Sequence, residues 1–388
     1  MVRTGLDNFE NELRPLLRNK KAGILCHAPG INSRYEHITD IIHNCLPDQL
    51  SAIFGPQHGL FGQTQDNMIE WEGYMHPVFK VPVYSLYDKT RKPTDLMLAG
   101  TDIFIIDLQD VGTRPYTYAW TLKLCLEACK ENNIPVVVID RPNPLGGIKR
   151  DGPVLKREFF TFVGGAEIPL CHGMTMGEIA LWINEREDIN CSLEVLKMQG
   201  WQREMVWTDT GLPWVLPSPN MPSLNTAKVY PGMVLIEALN ISEGRGTTLP
   251  FELCGAPFPE MDNVVGELNR MNLPGAAFRK HNFIPVFHKY ADEYCRGMQV
   301  HVTDFNLFEP VYTAACIFKV IADITAKLSF NAPPYEYEDK LMPFDILSGD
   351  TGLRNCIGDR SLSLVNEKER WQHEINEFNR IFSDYSLY

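Results

Sequence analysis

The sequence predicts an α/β fold built on a doubly wound, mostly parallel sheet, and three observations carry that prediction. Short apolar runs at 22–26, 50–54, 102–107 and 134–140 alternate with stretches of helical spacing, and strands alternating with helices imply right-handed crossovers. The run Ile103-Phe104-Ile105-Ile106 is apolar at every position, as a central parallel strand covered on both faces must be. Each run opens into a loop rich in glycine, proline and polar residues, which is where such sheets place their ligands.

Taken in order, 22–26 reads as a strand ending in His27-Ala28-Pro29-Gly30, and 35–45 carries Ile38, Ile41, Ile42 and Cys45 at helical spacing. The second strand, 50–54, runs into Phe54-Gly55-Pro56-Gln57-His58-Gly59 and on to Glu70. Residues 81–86 read as a third strand, 94–99 as a short helix and 118–132 as a longer one. A further helix is expected over 175–187, where Thr175 and Glu178 form a capping box, and a last strand over 193–198. Beyond Trp201 the texture changes. The proline-dense 211–222 is a stiff extended connector, followed by helical patterns at 233–240, 309–327 and 366–382 and a strand at 298–303.

The 388 residues exceed one ordinary core and are divided here into domains 1–228 and 229–388. Lysines and arginines number 36 against 49 acidic residues, so the net charge is −13; that balance excludes a nucleic-acid partner. No apolar stretch approaches the roughly 20 residues that span a bilayer, so no membrane partner is expected. The N-terminal seven residues carry no signal-peptide core. The sequence as given therefore reads as cytoplasmic, or as periplasmic or secreted if a leader has been removed. The ten cysteines form no Cys-x-x-Cys pair and read mainly as small buried hydrophobes, with disulfides or zinc as the alternatives.

Several signatures are absent. There is no P-loop, no Gly-x-Gly-x-x-Gly after the first strand, no His-Glu-x-x-His and no complete nucleophile elbow. No cofactor and no metal are expected. The chemistry concentrates instead in the strand-end loops. Asp107, Asp110, Arg114 and Tyr116 lie within ten residues, and an arginine fork can hold a substrate carboxylate; the plain alternative is that Arg114 neutralises Asp110. Asn143 stands in the loop after the 134–140 strand. Asn220 belongs either to a linker or to an extended cleft wall. Glu243 and Arg245, between glycines, suit an anionic ligand or form a simple turn with a surface ion pair. His58, framed by glycines beside Gln57, is the histidine placed best for a site.

At this point the residues resemble a family. Phe54-Gly-Pro-Gln-His-Gly59, Asp107-Leu-Gln-Asp-Val-Gly-Thr-Arg114, Asp140-Arg-Pro-Asn-Pro-Leu-Gly-Gly147, His172-Gly-Met-Thr-Met-Gly-Glu178, Leu216-Pro-Ser-Pro-Asn-Met-Pro222 and Asn240-Ile-Ser-Glu-Gly-Arg-Gly-Thr-Thr248 occur in order over almost the whole chain. They are similar to bacterial exo-β-N-acetylmuramidases of the NamZ type. The resemblance implies a Rossmann-like N-terminal domain, a smaller α+β C-terminal domain and an active cleft between them. It also implies release of N-acetylmuramic acid, or a related amino sugar, from the non-reducing ends of peptidoglycan fragments, and its lactyl carboxylate would give Arg114 or Arg245 a partner.

One departure matters. The family loop reads Gly-Pro-Glu-His-Gly, with the glutamate as the favoured acid, and here that position is Gln57. An amide cannot protonate a leaving glycosidic oxygen. Three readings stay open: another carboxyl has taken over, the saccharide differs, or the chain only binds muropeptides without cleaving them. For the first, Glu70 in the same loop is the provisional acid, with Glu72 and Asp110 behind it. Asp110 would orient the substrate acetamide with His58 beside it, and Gln57, Arg114, Tyr116, Asn143, Asn220, Glu243 and Arg245 would bind the sugar.

Overall fold

A computed structural model describes residues 1–65 and 69–388; Asp66, Asn67 and Met68 lie outside the described residues. In chain order the strands of the first part are β1 (Ala22–Cys26), β2 (Leu50–Gly55), β3 (Tyr74–Met75), β4 (Pro82–Ser85), β5 (Ile103–Asp107), β6 (Val136–Ile139), β7 (Asp151–Val154), β8 (Pro169–Cys171) and β9 (Leu193–Leu196). Seven of them form one sheet in the order β3-β4-β2-β1-β5-β6-β9, parallel throughout except where the short β3 runs antiparallel to β4. The chain winds outward from β1 through β2 in one direction and from β5 through β6 in the other, so the order reverses between β1 and β5. This is the doubly wound α/β sheet that the alternation of runs predicts.

Alternate residues of the central strands feed two apolar layers. Ile24, Ile53 and Ile105 pack with Leu6, Leu13, Ile38 and Ile42 on one face. Leu25, Phe54, Phe104 and Ile106 pack on the other face with helix α2 (Tyr118–Glu131) and helix α3 (Met176–Arg186). Helix α1 (Ile38–Cys45) covers the first face. The capping box read at Thr175 and Glu178 is present at the start of α3.

The second part carries an antiparallel sheet of β10 (Leu253–Ala256), β11 (Ala276–Lys280) and β12 (Arg296–Val302) in the order β10-β12-β11. Helix α4 (Leu224–Met233), helix α5 (Pro310–Thr325) and helix α6 (Leu364–Phe382) accompany it. The apolar layer on the α2 side of the parallel sheet continues without a break through α4 and α5 to Phe278, Met298 and Val300. The two parts therefore share a core, where independent domains would share only a polar interface. Residue 228, the expected division, lies within α4, just after the proline-dense stretch.

The helix expected at 233–240 starts nine residues earlier, about two and a half turns. The helix begins at Leu224, with Ser223 capping Thr226 N, and residues 234–238 continue it as a 3-10 turn. Pro231 inside α4 obscures this start, because proline in a sequence reads as a helix stop. The β7–β8 hairpin and the strands β10 and β11 carried no clear period-2 pattern and were not anticipated.

Candidate active site

The literal reversal point of the sheet is sealed. At the carboxyl end of β5, Asp107 is fully buried and takes both forks of Arg141, with Nη2 to Oδ2 at 2.9 Å. Burial holds the neighbouring His27 imidazole well below its ordinary pKa, with Arg141 adding to the effect. The chemistry lies beside it, where the loop after β2 meets the later part of the loop after β5.

There an enclosed cavity lies between the two parts of the chain. The loop after β2 supplies Gln57 and His58, and the loop after β5 with the start of α2 supplies Tyr116, Thr117 and Tyr118. The proline-dense segment adds Ser218, Asn220 and Met221. From the second part, Tyr230, Val234 and Glu237 line it; they fall at i, i+4 and i+7, one face of the α4 helix and its 3-10 continuation. Arg245, Phe251, Tyr335 and Glu336 complete the wall. The free space is about 30 Å³, room for a water or two, so a sugar ring enters only as the wall yields.

Local conformation fixes each donor. His58 adopts φ +72°, and its Nδ1 donates to the Thr64 carbonyl at 2.8 Å, which leaves Nε2 as the acceptor of the neutral ring. Burial pushes its pKa down to about 4, despite that hydrogen bond. Gln57 Oε1 accepts from Thr117 Oγ1 at 2.6 Å, and Tyr118 Oη donates to the Pro217 carbonyl at 2.6 Å. Asn220 Nδ2 donates to the Gln65 carbonyl at 2.6 Å, tying the proline-dense wall to the loop after β2. Gly246, at φ +78°, is needed beside Arg245, because a Cβ there would meet the Phe287 backbone at 2.7 Å.

The two carboxyls lining the cavity differ in environment. Glu237 Oε1 accepts from Arg245 Nη2 at 2.8 Å and Oε2 from Tyr335 Oη at 2.5 Å. Glu336 Oε2 accepts from the Tyr87 hydroxyl at 2.8 Å. Burial pushes the Glu336 carboxyl up to about 7 and the charge of Glu237 adds to this, while Tyr87, Arg91 and a hydrogen bond with Gln57 restrain it. Behind Arg245, Glu243 is fully buried against Lys289 and His288, each at 3.1 Å. Burial would raise its pKa, but Lys289, His288 and Arg245 together hold it well below the carboxylate range. Among the described residues no group of three or more His, Cys, Asp or Glu could hold a metal.

The structure brings Gln57, His58, Tyr116, Asn220 and Arg245 into one cavity, with Glu243 directly behind. It places the others elsewhere. Glu70 is exposed outside the cavity, where its Oε1 accepts from Tyr337 Oη at 3.1 Å. Asp110 is buried under the loop, accepting from Gly112 N at 2.5 Å and facing His172 Nε2 at 3.2 Å. Arg114 neither neutralises Asp110 nor faces the cavity. Its guanidinium donates to the carbonyls of Pro153, Ile168 and Leu347 at 2.9–3.0 Å, and burial lowers its pKa to about 9. Asn143 accepts from Leu145 N and donates to the Met174 carbonyl at 2.9 Å, a turn-holding role.

Comparison with known proteins now decides the family. Residues 22–225 match the model of exo-beta-N-acetylmuramidase NamZ, N-terminal, and residues 228–388 that of its C-terminal part. The chain belongs to the NamZ family. It is 42% identical to the peptidoglycan beta-N-acetylmuramidase NamZ of Bacillus subtilis (strain 168) over 388 residues, all of this chain and 91% of that protein. Two crystal structures of DUF1343 family proteins from Bacteroides fragilis NCTC 9343 also resemble it. One has a TM-score of 0.88 at 32% identity and the other 0.76 at 28%, each covering 100% of this chain and 99% of its own.

Two functional candidates of this NamZ-family chain escaped sequence reasoning. Glu237 lies within the expected 233–240 helix, but the late start leaves out Tyr230 and with it the face shared by Tyr230, Val234 and Glu237. Glu336 sits in the run Pro333-Pro334-Tyr335-Glu336-Tyr337, which has no periodicity, and only three-dimensional closure brings it to Gln57.

Proposed function

We propose that this chain is an exo-acting glycoside hydrolase that releases terminal N-acetylmuramic acid from the non-reducing ends of peptidoglycan fragments. The observation that carries the reading is the pair of buried carboxyls, Glu237 and Glu336, in one aromatic-walled cavity at the ends of β2 and β5. Glycoside cleavage ordinarily needs two carboxyl functions held in different protonation states. Here Glu237 is engaged by Arg245, whereas burial pushes Glu336 up to about 7. The name of the Bacillus subtilis relative supports the saccharide class.

In this reading Tyr116, Tyr118, Tyr230 and Phe251 provide the apolar walls for a sugar ring, and Gln57, His58 and Asn220 its polar anchors. The parts before and after the proline-dense join close on the ligand together. No helix among the described residues is long and apolar enough to cross a membrane. The test is incubation of purified protein with the disaccharide N-acetylmuramyl-β-1,4-N-acetylglucosamine and mass detection of products. Free N-acetylmuramic acid is the expected result. Binding of the intact disaccharide with no product would instead make the chain a silent muropeptide-binding protein.

A further inference from the structure

We propose that Glu336 is the proton donor to the departing glycosidic oxygen, supplying from the second part of the chain the acid that Gln57 cannot supply from the loop after β2. This assignment rests on the hydrolase reading above and deepens it.

The geometry carries it in four respects. Glu336 lines the same cavity as Gln57 and His58. The Gln57 side chain reaches its carboxyl closely enough to favour the ionised form, so that carboxyl stands near the position where the family loop has its glutamate. The Thr117 hydroxyl holds the Gln57 Oε1 at 2.6 Å, so the amide nitrogen is the end of that side chain left to donate. Finally, Glu336 and Tyr337 both have left-handed backbone, φ +44° and +69°. Such conformations are costly for these residues and persist where the surroundings over-determine them, most often at functional sites.

Of the two cavity carboxyls, Glu237 is committed to Arg245 and Tyr335, whereas Glu336 accepts from the uncharged Tyr87 hydroxyl. The groups that bear on its proton are Tyr87 and Arg91 after β4, Gln57 after β2, Tyr230 on α4 and Glu237 after it, and Tyr335 on its own segment. Burial is the dominant influence, and it favours the protonated carboxyl near neutral pH.

In the reaction, the anomeric C–O bond breaks with its electron pair going to the leaving oxygen, which takes the proton of Glu336. A water then adds its oxygen to the anomeric carbon and gives its proton to the Glu336 carboxylate. The sum is one glycoside plus one water giving two hydroxyl compounds, with the carboxyl restored.

The experiment compares wild type, Glu336→Gln and Glu336→Asp on two glycosides of N-acetylmuramic acid, the natural disaccharide and a 4-nitrophenyl glycoside whose leaving group needs little protonation. For Glu336→Gln we expect kcat on the disaccharide to fall by about 10²–10⁴-fold, with a markedly smaller fall on the activated glycoside. The limb of the kcat/KM profile near pH 7 should vanish. Glu336→Asp, which keeps a retracted carboxyl, should retain that limb with reduced kcat. Wild-type disaccharide turnover by Glu336→Gln, or equal losses on both glycosides with the limb intact, would overturn the assignment. Failure of wild type on both glycosides would instead remove the hydrolase reading, and the assignment with it.

Discussion

The Tyr87 hydroxyl and the Glu336 carboxylate are 249 positions apart in the chain and 2.8 Å apart in space. The bond joins the end of the parallel sheet to a loop of the second part, and it bears on the protonation of Glu336. A donor hydrogen bond favours the ionised carboxylate, so Tyr87 restrains the upward push of burial. Tyr87→Phe removes that restraint. The limb of kcat/KM assigned to Glu336 should then move to higher pH by about one unit, because a hydrogen bond contributes about 1 kcal/mol and one unit is about 1.4 kcal/mol. An unmoved limb in an active variant would separate Tyr87 from the proton donor.

Stability should report the same group independently of activity. The Glu336 carboxyl titrates at about 7 in the folded chain against 4.5 as its ordinary value. The folded state therefore holds more protons between those values, and the group's stabilising contribution is complete below 4.5 and lost as pH rises through 7. Glu336→Gln keeps an uncharged side chain at every pH. Its Tm relative to wild type should rise across that window, by the equivalent of at most about 3 kcal/mol. Asp140 and Asp151, both pushed up to about 6 by burial, tilt both proteins alike, so the difference isolates Glu336. A pH-independent difference would contradict the assigned titration.

Arg114 is expected to matter for folding and not for the sugar. Its three carbonyl partners lie at β7, before β8 and in the 343–348 helix. Arg114→Leu leaves these buried acceptors without their donor, at a cost on the order of 3 kcal/mol or more. Thermal or denaturant unfolding should show the loss, while the KM of the remaining folded protein stays near that of wild type. A raised KM at unchanged stability would return Arg114 to the pocket.

The parts of the molecule that were legible in the sequence are those in which local pattern and tertiary role agree. The apolar runs at β1, β2, β5 and β6 could be placed because strands buried on both faces need no partner-specific signal. Gln57, His58 and Tyr116 could be gathered because strand-end loops of one sheet must converge at one edge, whereas Asn220 and Arg245 were reached through motif chemistry and the family resemblance. Arg114 misled because a guanidinium serves equally well to collect backbone carbonyls as to bind a carboxylate, and the motif does not say which. Glu70 misled because nearness in sequence to Gln57 is no guide to the cavity: the chain carries it outward to Tyr337. Glu336 could not be found, because its proximity to Gln57 depends on packing between elements nearly 280 residues apart.

Glu70→Gln should accordingly be nearly silent. The side chain is exposed and accepts from the Tyr337 hydroxyl at 3.1 Å; surface substitutions of this kind change stability by less than about 0.5 kcal/mol. Disaccharide turnover should stay within a few-fold of wild type. A loss of a hundredfold or more would restore Glu70 as the acid and displace Glu336.

The sharpest test exchanges an amide and a carboxyl between two neighbouring cavity positions. Gln57 and Glu336 form an amide–carboxyl pair, with Thr117 holding the amide oxygen. Gln57→Glu alone sets two carboxyls side by side in a buried cavity, and such a pair must share a proton. Its limb should move to higher pH. Adding Glu336→Gln restores one amide and one carboxyl, with the acid now on the loop after β2, where the family pattern has its glutamate. Thr117 can donate to either side chain at position 57, so the reversed pair keeps its outer support. The double variant should therefore recover at least about tenfold of the disaccharide turnover lost in Glu336→Gln alone, since general-acid catalysis supplies about 10²–10⁴-fold and depends on placement. If the double variant is as inactive as Glu336→Gln, the two positions are not equivalent seats for one proton, and the shared site inferred for them is wrong.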